Sequence, residues 1–172
     1  VYISHNPISA DNQQERLVLK HWIVGFTDGE GCFSVSMFRN KTTKFGWQVF
    51  PEFVITQGKK SLKSLEIFEA YFKCGKIFIN KRYDNHKDFL YRYCVRSLND
   101  LRNKIIPFFR ENNLRTAKQK DFMIFCEIVE MLYEKKHQSM SGLKIVAKKI
   151  EKMNRKKLSQ FLESSETKRR TP

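Results

Sequence analysis

Apolar positions along this chain recur first at helical spacing, then at every second residue, and the switches between the two periods divide it into elements. Residues 1–12 are polar and predict a loosely held start. From Gln13 to Thr27 the apolar residues Leu17, Val18, Trp22, Ile23 and Phe26 predict a helix, closed by Asp28-Gly29-Glu30-Gly31. Cys32 to Phe38 alternates, with Phe33, Val35 and Met37 on one face and Ser34 and Ser36 on the other, as in a half-buried strand. After a basic turn from Arg39 to Gly46, Trp47 to Gln57 reads as a second strand, with Trp47, Val49, Phe53 and Ile55 inward. Pro51 inside it predicts a bulge or an edge.

The same sequence of elements then repeats. Ser61 to Lys73 predicts a helix ended by Gly75, and Lys76–Arg82 and Asp88–Ser97 predict two strands around the turn Tyr83-Asp84-Asn85-His86. Leu98 to Phe109 is helical and disturbed at Pro107. Lys118 to Tyr133 carries Phe122, Phe125, Ile128, Val129 and Leu132 at helical spacing. A basic helix spans 143–161, and a tail at 163–172 looks disordered. Four strands with segregated helices predict an α+β layer in one domain over residues 1–172. One sheet face would pack on helices. The other would carry Ser34, Ser36, Gln48, Glu52, Asn80, Arg82 and Arg92, a polar and basic surface suited to reading DNA by strands in the major groove.

Charge strengthens that reading. The 172 residues hold 33 Lys and Arg against 18 Asp and Glu, a net charge of +15. Such an excess self-repels when no partner is present and points to a polyanion: duplex DNA, RNA or an anionic membrane. With 15 Phe the chain can build a core, and a disordered chain would be poorer in aromatics. Cys32, Cys74, Cys94 and Cys126 form no C-x-x-C pair and read as buried free thiols of a reducing, intracellular compartment. His5, His21, His86 and His137 show no paired spacing, which argues against zinc. No secretory leader and no apolar stretch of about 18 residues is present, so no membrane span is expected.

The candidate chemistry lies at the end of the first helix. Asp28 and Glu30 stand at its negative pole, where two carboxylates repel each other and the helix carbonyls unless a cation joins them. Mg²⁺ takes a few carboxylates, carbonyls and waters, with phosphate oxygens completing its shell. Glycines on both sides let a phosphodiester approach closely. Together these features point to metal-assisted phosphodiester cleavage.

The segment Ile23-Val24-Gly25-Phe26-Thr27-Asp28-Gly29-Glu30-Gly31 resembles the LAGLIDADG motif of homing endonucleases, with Gly25, Asp28 and Gly31 matching it and Glu30 at its second acidic position. The order of elements over about 13–135 is similar to that family's αββαββα core. The resemblance implies a four-stranded antiparallel saddle sheet per chain with extra C-terminal helices. It implies an intron-type enzyme making a double-strand break in a long, near-palindromic duplex site. Only one motif copy stands in the sequence, which is similar to the homodimeric branch, with Trp22 and Gly25 in the dimer interface. Glu30 and the Gly29 carbonyl would hold Mg²⁺, for which Mn²⁺ or Ca²⁺ can substitute in binding, and Asp28 would cap or support the turn and interact across the interface. Gln57 resembles the water-positioning group. Lys118 resembles the family's charge-stabilising lysine, with Lys120 competing, and Lys59 and Lys60 are further basic candidates. For DNA contact the candidates are Ser34, Ser36, Asn40, Lys41, Gln48, Asn80, Arg82 and Arg92. Two other functions occur on such a scaffold: an RNA maturase that binds intron RNA, and a silent DNA-binding module. Mitochondrion, chloroplast and microbial cytoplasm all stay open.

Overall fold

A computed structural model describes residues 10–80, 89–153 and 161, the first three by their backbone alone. Arg82, the turn Tyr83–His86, residues 1–9 and the tail 163–172 lie outside the described residues. Helix α1 (Ala10–Glu30) runs straight into β1 (Gly31–Arg39), and β2 (Trp47–Gly58) follows. A 3₁₀ turn at Lys59–Ser61 leads to α2 (Leu62–Phe72), then β3 (Lys76–Asn80) and β4 (Leu90–Val95). The helical remainder is α3 (Leu98–Asp100), a π-helical turn at Leu101–Ile105, α4 (Ile106–Glu111), α5 (Lys118–Tyr133), a 3₁₀ turn at Lys136–Gln138 and α6 (Met140–Met153).

The sheet has the order β1-β2-β4-β3 and is antiparallel throughout. Its inward residues Phe33, Val35, Phe53, Ile55, Tyr93 and Val95 are buried in one cluster with residues of every helix from α1 to α6 except the short α3. The phenylalanines explain themselves there. Phe33 stacks on Phe53 with ring centres 4.9 Å apart and meets Phe109, Phe122 and Phe125 within 5.4 Å. A second, smaller cluster of Trp47, Leu143, Ala147 and Phe161 fastens α6 to the β1–β2 hairpin. The C-terminal basic helix is thus amphipathic over its described residues. It also pairs Lys149 with Glu127 of α5.

Four sequence expectations change. Helix α1 begins at Ala10, before Gln13, and does not stop at Thr27. Asp28-Gly29-Glu30 is its last turn, and the strand starts at Gly31. The glycine needed at that junction is needed for room: a Cβ on Gly31 would lie 2.7 Å from Thr27 Cγ2 and 2.9 Å from the Thr27 carbonyl oxygen. Pro51 creates no bulge, because the β1–β2 register runs unbroken through Val35↔Pro51. The β2–β4 ladder begins only at Phe53, so Pro51 lies beside an open edge, where its missing N–H costs no ladder bond. Lys73, at φ +50, rather than Gly75, takes the left-handed position that closes α2. Finally, Cys32 is exposed and Cys74 half-buried, leaving only Cys94 and Cys126 buried. The disturbance expected at Pro107 is present as the π turn before it, where the chain accommodates the absent proline N–H.

Candidate active site and nucleic-acid interface

The end of α1, the start of α5 and the end of β2 converge. Lys118, the first residue of α5, extends its Nζ to the carbonyl oxygens of Thr27 at 2.7 Å and Asp28 at 2.9 Å. A cation thereby satisfies two of the carbonyls that a helix end leaves open, at the pole where positive charge is favourable. Lys120 is exposed, so Lys118 is the lysine this fold brings to the motif. Burial pulls the Lys118 ammonium below its usual pKa, against the opposing charges of Cys32, Asp28, Glu30 and Asp121.

The two motif carboxylates behave differently. Asp28 turns back to the segment before α5. Its Oδ2 accepts from the Arg115 amide at 2.6 Å, and its Oδ1 accepts from the Thr116 amide at 3.2 Å and hydroxyl at 2.7 Å. Burial pushes the Asp28 carboxyl up, but these hydrogen bonds and the charge of Lys118 outweigh it and hold the group below its ordinary value. Glu30 points into the open, where Gln57 Nε2 donates to its Oε2 at 3.2 Å. Gly29 and Glu30 are both exposed, and no atom lies within 4 Å of where a Gly29 Cβ would be.

Glu30, Gln57, Lys118 and Asp28 thus meet at one corner of the molecule. Lys59 and Lys60 are exposed on the 3₁₀ turn after β2. Among the described residues no three His, Cys, Asp or Glu side chains gather closely enough to hold a metal. Among the described residues at this corner, Glu30 offers an open carboxylate next in the chain to the Gly29 carbonyl. Such an all-oxygen donor set suits a hard divalent cation whose other ligands come from elsewhere.

Among the described residues the helices pack on the inward face of the sheet and leave its outward face open. Ser34 and Ser36 lie on it, with Glu52 and Phe50 as their register partners on β2. Asn40 and Gln48 are engaged with each other, Asn40 Nδ2 donating to Gln48 Oε1 at 2.6 Å. Asn40 Oδ1 also accepts from the Thr42 amide and hydroxyl. Their contact therefore ties the loop that closes the β1–β2 hairpin to the start of β2. Lys41 is exposed at that loop and Asn80 at the end of β3. Arg92 donates to Glu52, as does Arg96.

Trp22 is half-buried against Phe26 and Phe68, with ring centres 4.9 and 5.7 Å away. Gly25, in contrast, is exposed, with nothing within 4 Å of a Cβ placed there. Leu17 and Val18 on the same helix are 47% and 59% exposed.

Sequence reasoning missed Thr116 and the amides at 115–116, although a threonine two residues before a helix start is a capping signal. It also missed Arg96, just past the end of β4, whose spacing of four from Arg92 continues the alternation of that strand.

Residues 23–129 match the family model described as LAGLIDADG endonuclease. Among curated proteins, the chain is 36% identical over 124 residues to "Probable intron-encoded endonuclease 2" of Neurospora crassa, covering 72% of this chain and 26% of that protein. It is 28% identical over 127 residues to DNA endonuclease I-CeuI of Chlamydomonas moewusii, covering 72% and 56%. The chain thus spans about a quarter of the Neurospora protein. Among solved structures it is similar to the homing endonuclease I-TnaI, at a TM-score of 0.74 and 34% identity, over 86% of this chain and 96% of that one. It also resembles I-SmaMI bound to uncleaved DNA target with calcium ions, at 0.76 and 31%, over 85% and 48%. The chain belongs to the LAGLIDADG endonuclease family.

Proposed function

We propose that this member of the family is one half of a site-specific DNA endonuclease that makes a double-strand break in a long, near-palindromic duplex site with the help of a divalent metal, Mg²⁺ first. The observation that carries the reading is the meeting of Glu30, Gln57 and Lys118 at the edge of an uncovered polar sheet face, on a chain of net charge +15. Relatives named as intron-encoded endonucleases, and a neighbour bound to its DNA target, support it.

Glu30 and the Gly29 carbonyl would hold the cation, which supplies Lewis acidity and a bound water of lowered pKa. Gln57 fixes the Glu30 carboxylate from one side and leaves its other lone pairs open. Lys118 sets a positive charge beside the phosphate position. It is already anchored by two helix carbonyls, so little reorganisation is needed when phosphate arrives. Asp28, committed to residues 115–116, supports the junction of α1 and α5. The sheet face and the hairpin loop would follow the duplex, with Ser34, Ser36, Lys41, Asn80 and Arg92 toward the bases or the backbone.

The second half comes from a second copy of the chain. The exposed stripe of Leu17, Val18 and Gly25 on α1 supports this, because a helix can approach closely where no Cβ projects. Two copies would bring two Glu30 carboxylates to neighbouring phosphates and complete a ligand set that one chain lacks.

The test is incubation with a duplex that joins the sequences flanking the intron carrying this reading frame, in Mg²⁺ and in EDTA. Cleavage at one place, lost in EDTA and in Glu30→Gln, is expected. Cutting that survives either change would sink the metal assignment. Binding of intron RNA without any DNA cleavage would replace the reading with a maturase.

A further inference from the structure

On the outward face, β2 places Glu52 across from Ser34 of β1. A carboxylate there opposes the charge neutralisation that drives binding to a polyanion. Glu52, however, is not bare. Its Oε1 accepts from Arg92 Nη2 at 3.1 Å and its Oε2 from Arg96 Nε at 3.0 Å. One oxygen serves each guanidinium, and the carboxylate is the covered member of the group: its side chain is 15% exposed, against 32% for Arg92 and 41% for Arg96. Arg96 is held from further sides: its Nη2 donates to Cys94 Sγ at 3.9 Å, and two rings flank it, leaving Nη1 as its free nitrogen among the described residues. Its guanidinium carbon lies 5.6 Å from the centre of the Phe50 ring and 5.2 Å from that of Phe78. Three strands therefore contribute to one fixed group, with Phe50 and Glu52 on β2, Phe78 on β3 and Arg92 on β4, while Arg96 lies just past the end of β4.

We propose that Glu52 is a positioning residue for base recognition, holding Arg92 and Arg96 in fixed planes that present their free N–H edges to guanines in the major groove. The inference rests on the DNA-cleaving function proposed above. An arginine reads guanine through two parallel hydrogen bonds to O6 and N7, which requires a set orientation of its fork. An arginine free to move is drawn to the nearest phosphate, a contact that carries no sequence information. The group keeps a net charge of one positive from two arginines, so it gives up attraction in exchange for orientation. The flanking Phe50 and Phe78 rings restrict Arg96 without neutralising it.

The experiment is selection from a duplex library with a randomised centre, using the full chain, followed by sequencing of the bound pool and salt titration on an unselected duplex. The wild-type chain is expected to enrich guanine at defined positions. Glu52→Gln keeps the shape of the side chain and removes its charge. It should lower guanine preference at those positions about tenfold or more. It should also bind unselected duplex more tightly, with a steeper salt slope, by up to about 0.9 for each arginine released to a phosphate. Arg92→Lys and Arg96→Lys, which keep the charge, should each erase preference at a different position.

Unchanged guanine preference in Glu52→Gln overturns the inference. So does a uniform loss of affinity for every sequence, the mark of a purely structural role; thermal melting of each variant verifies that it is folded. A wild-type motif that neither arginine variant alters removes the inference while leaving the endonuclease reading intact. A wild-type chain that enriches no sequence overturns the reading beneath it.

Discussion

At the end of α1, Glu30 is exposed and meets a single long hydrogen bond from Gln57. On the sheet face, Glu52 lies under two arginines, one to each carboxylate oxygen. Both are glutamates in a strongly basic chain on the side proposed to meet DNA. The difference is in what surrounds them. Near Glu30 the nearby cation, Lys118, is already committed to the carbonyls of Thr27 and Asp28, so the glutamate keeps open lone pairs for an incoming cation. Near Glu52 the arginines have no helix end to cap, and the carboxylate becomes their anchor. One carboxylate awaits a cation and the other organises cations, and the neighbouring hydrogen-bond acceptors decide which.

The largest test of this contrast is Glu30→Gln. Cleavage should fall by about 10³-fold, the upper scale for losing one group that acts on the transition state. Stability should change by no more than about 0.5 kcal/mol, because Glu30 is exposed. Single-turnover cleavage and thermal melting measure the two; a large drop in melting temperature would mean that Glu30 is structural. Next comes Lys118→Met, which should reduce both properties. Cleavage should drop about 10²-fold. Unfolding free energy should fall by about 1–3 kcal/mol as two helix-end carbonyls lose their donor. Loss of cleavage with unchanged stability would show that the carbonyl contacts carry little weight.

Two glycines sharpen the same region. Gly31→Ala places a methyl against Thr27 and should cost about 1–3 kcal/mol by overpacking. Gly25→Ala meets nothing among the described residues and should leave the unfolding of one chain nearly unchanged. If a second copy packs there, the same variant should weaken self-association in sedimentation. Unaltered association would remove Gly25 from the proposed interface.

Asp28→Ala should cost about 1 kcal/mol, as for a lost helix-capping side chain. Its pH dependence has a definite sign. The folded-state pKa lies below the unfolded one, so the charged group contributes fully above the ordinary carboxylate pKa. That contribution fades as pH falls through the lowered folded value. Melting curves of wild type and variant should therefore differ at neutral pH and converge in acid. A gap that persists at the lowest pH would mean that Asp28 acts through packing, not charge.

Much of the site was legible in sequence because it lies within short stretches. Asp28, Gly29, Glu30 and Gly31 are contiguous, and their meaning depends on helix polarity and glycine geometry, both local properties. The strand alternation likewise separated Phe33 and Val35 from Ser34 and Ser36. Local patterns could not show partners distant in the chain. Asp28 meets Arg115 and Thr116 some 87 residues away, and that contact separates the roles of the two motif carboxylates. The choice of Lys118 over Lys120 also needed the start of α5 to lie beside the end of α1. Residues two positions apart on a helix point roughly 200° apart, so only one of the pair can face the motif.

The amino-acid sequence by itself determined the elements, their α+β order, the sheet's polar face and the acidic helix end, because each follows from periodicity and composition within a few residues. Only the tertiary structure decided which carboxylate stays open, which lysine reaches the helix carbonyls and which arginines Glu52 holds. Those outcomes depend on chain segments brought together by burial of the common phenylalanine-rich core, and no local spacing encodes the distances across it.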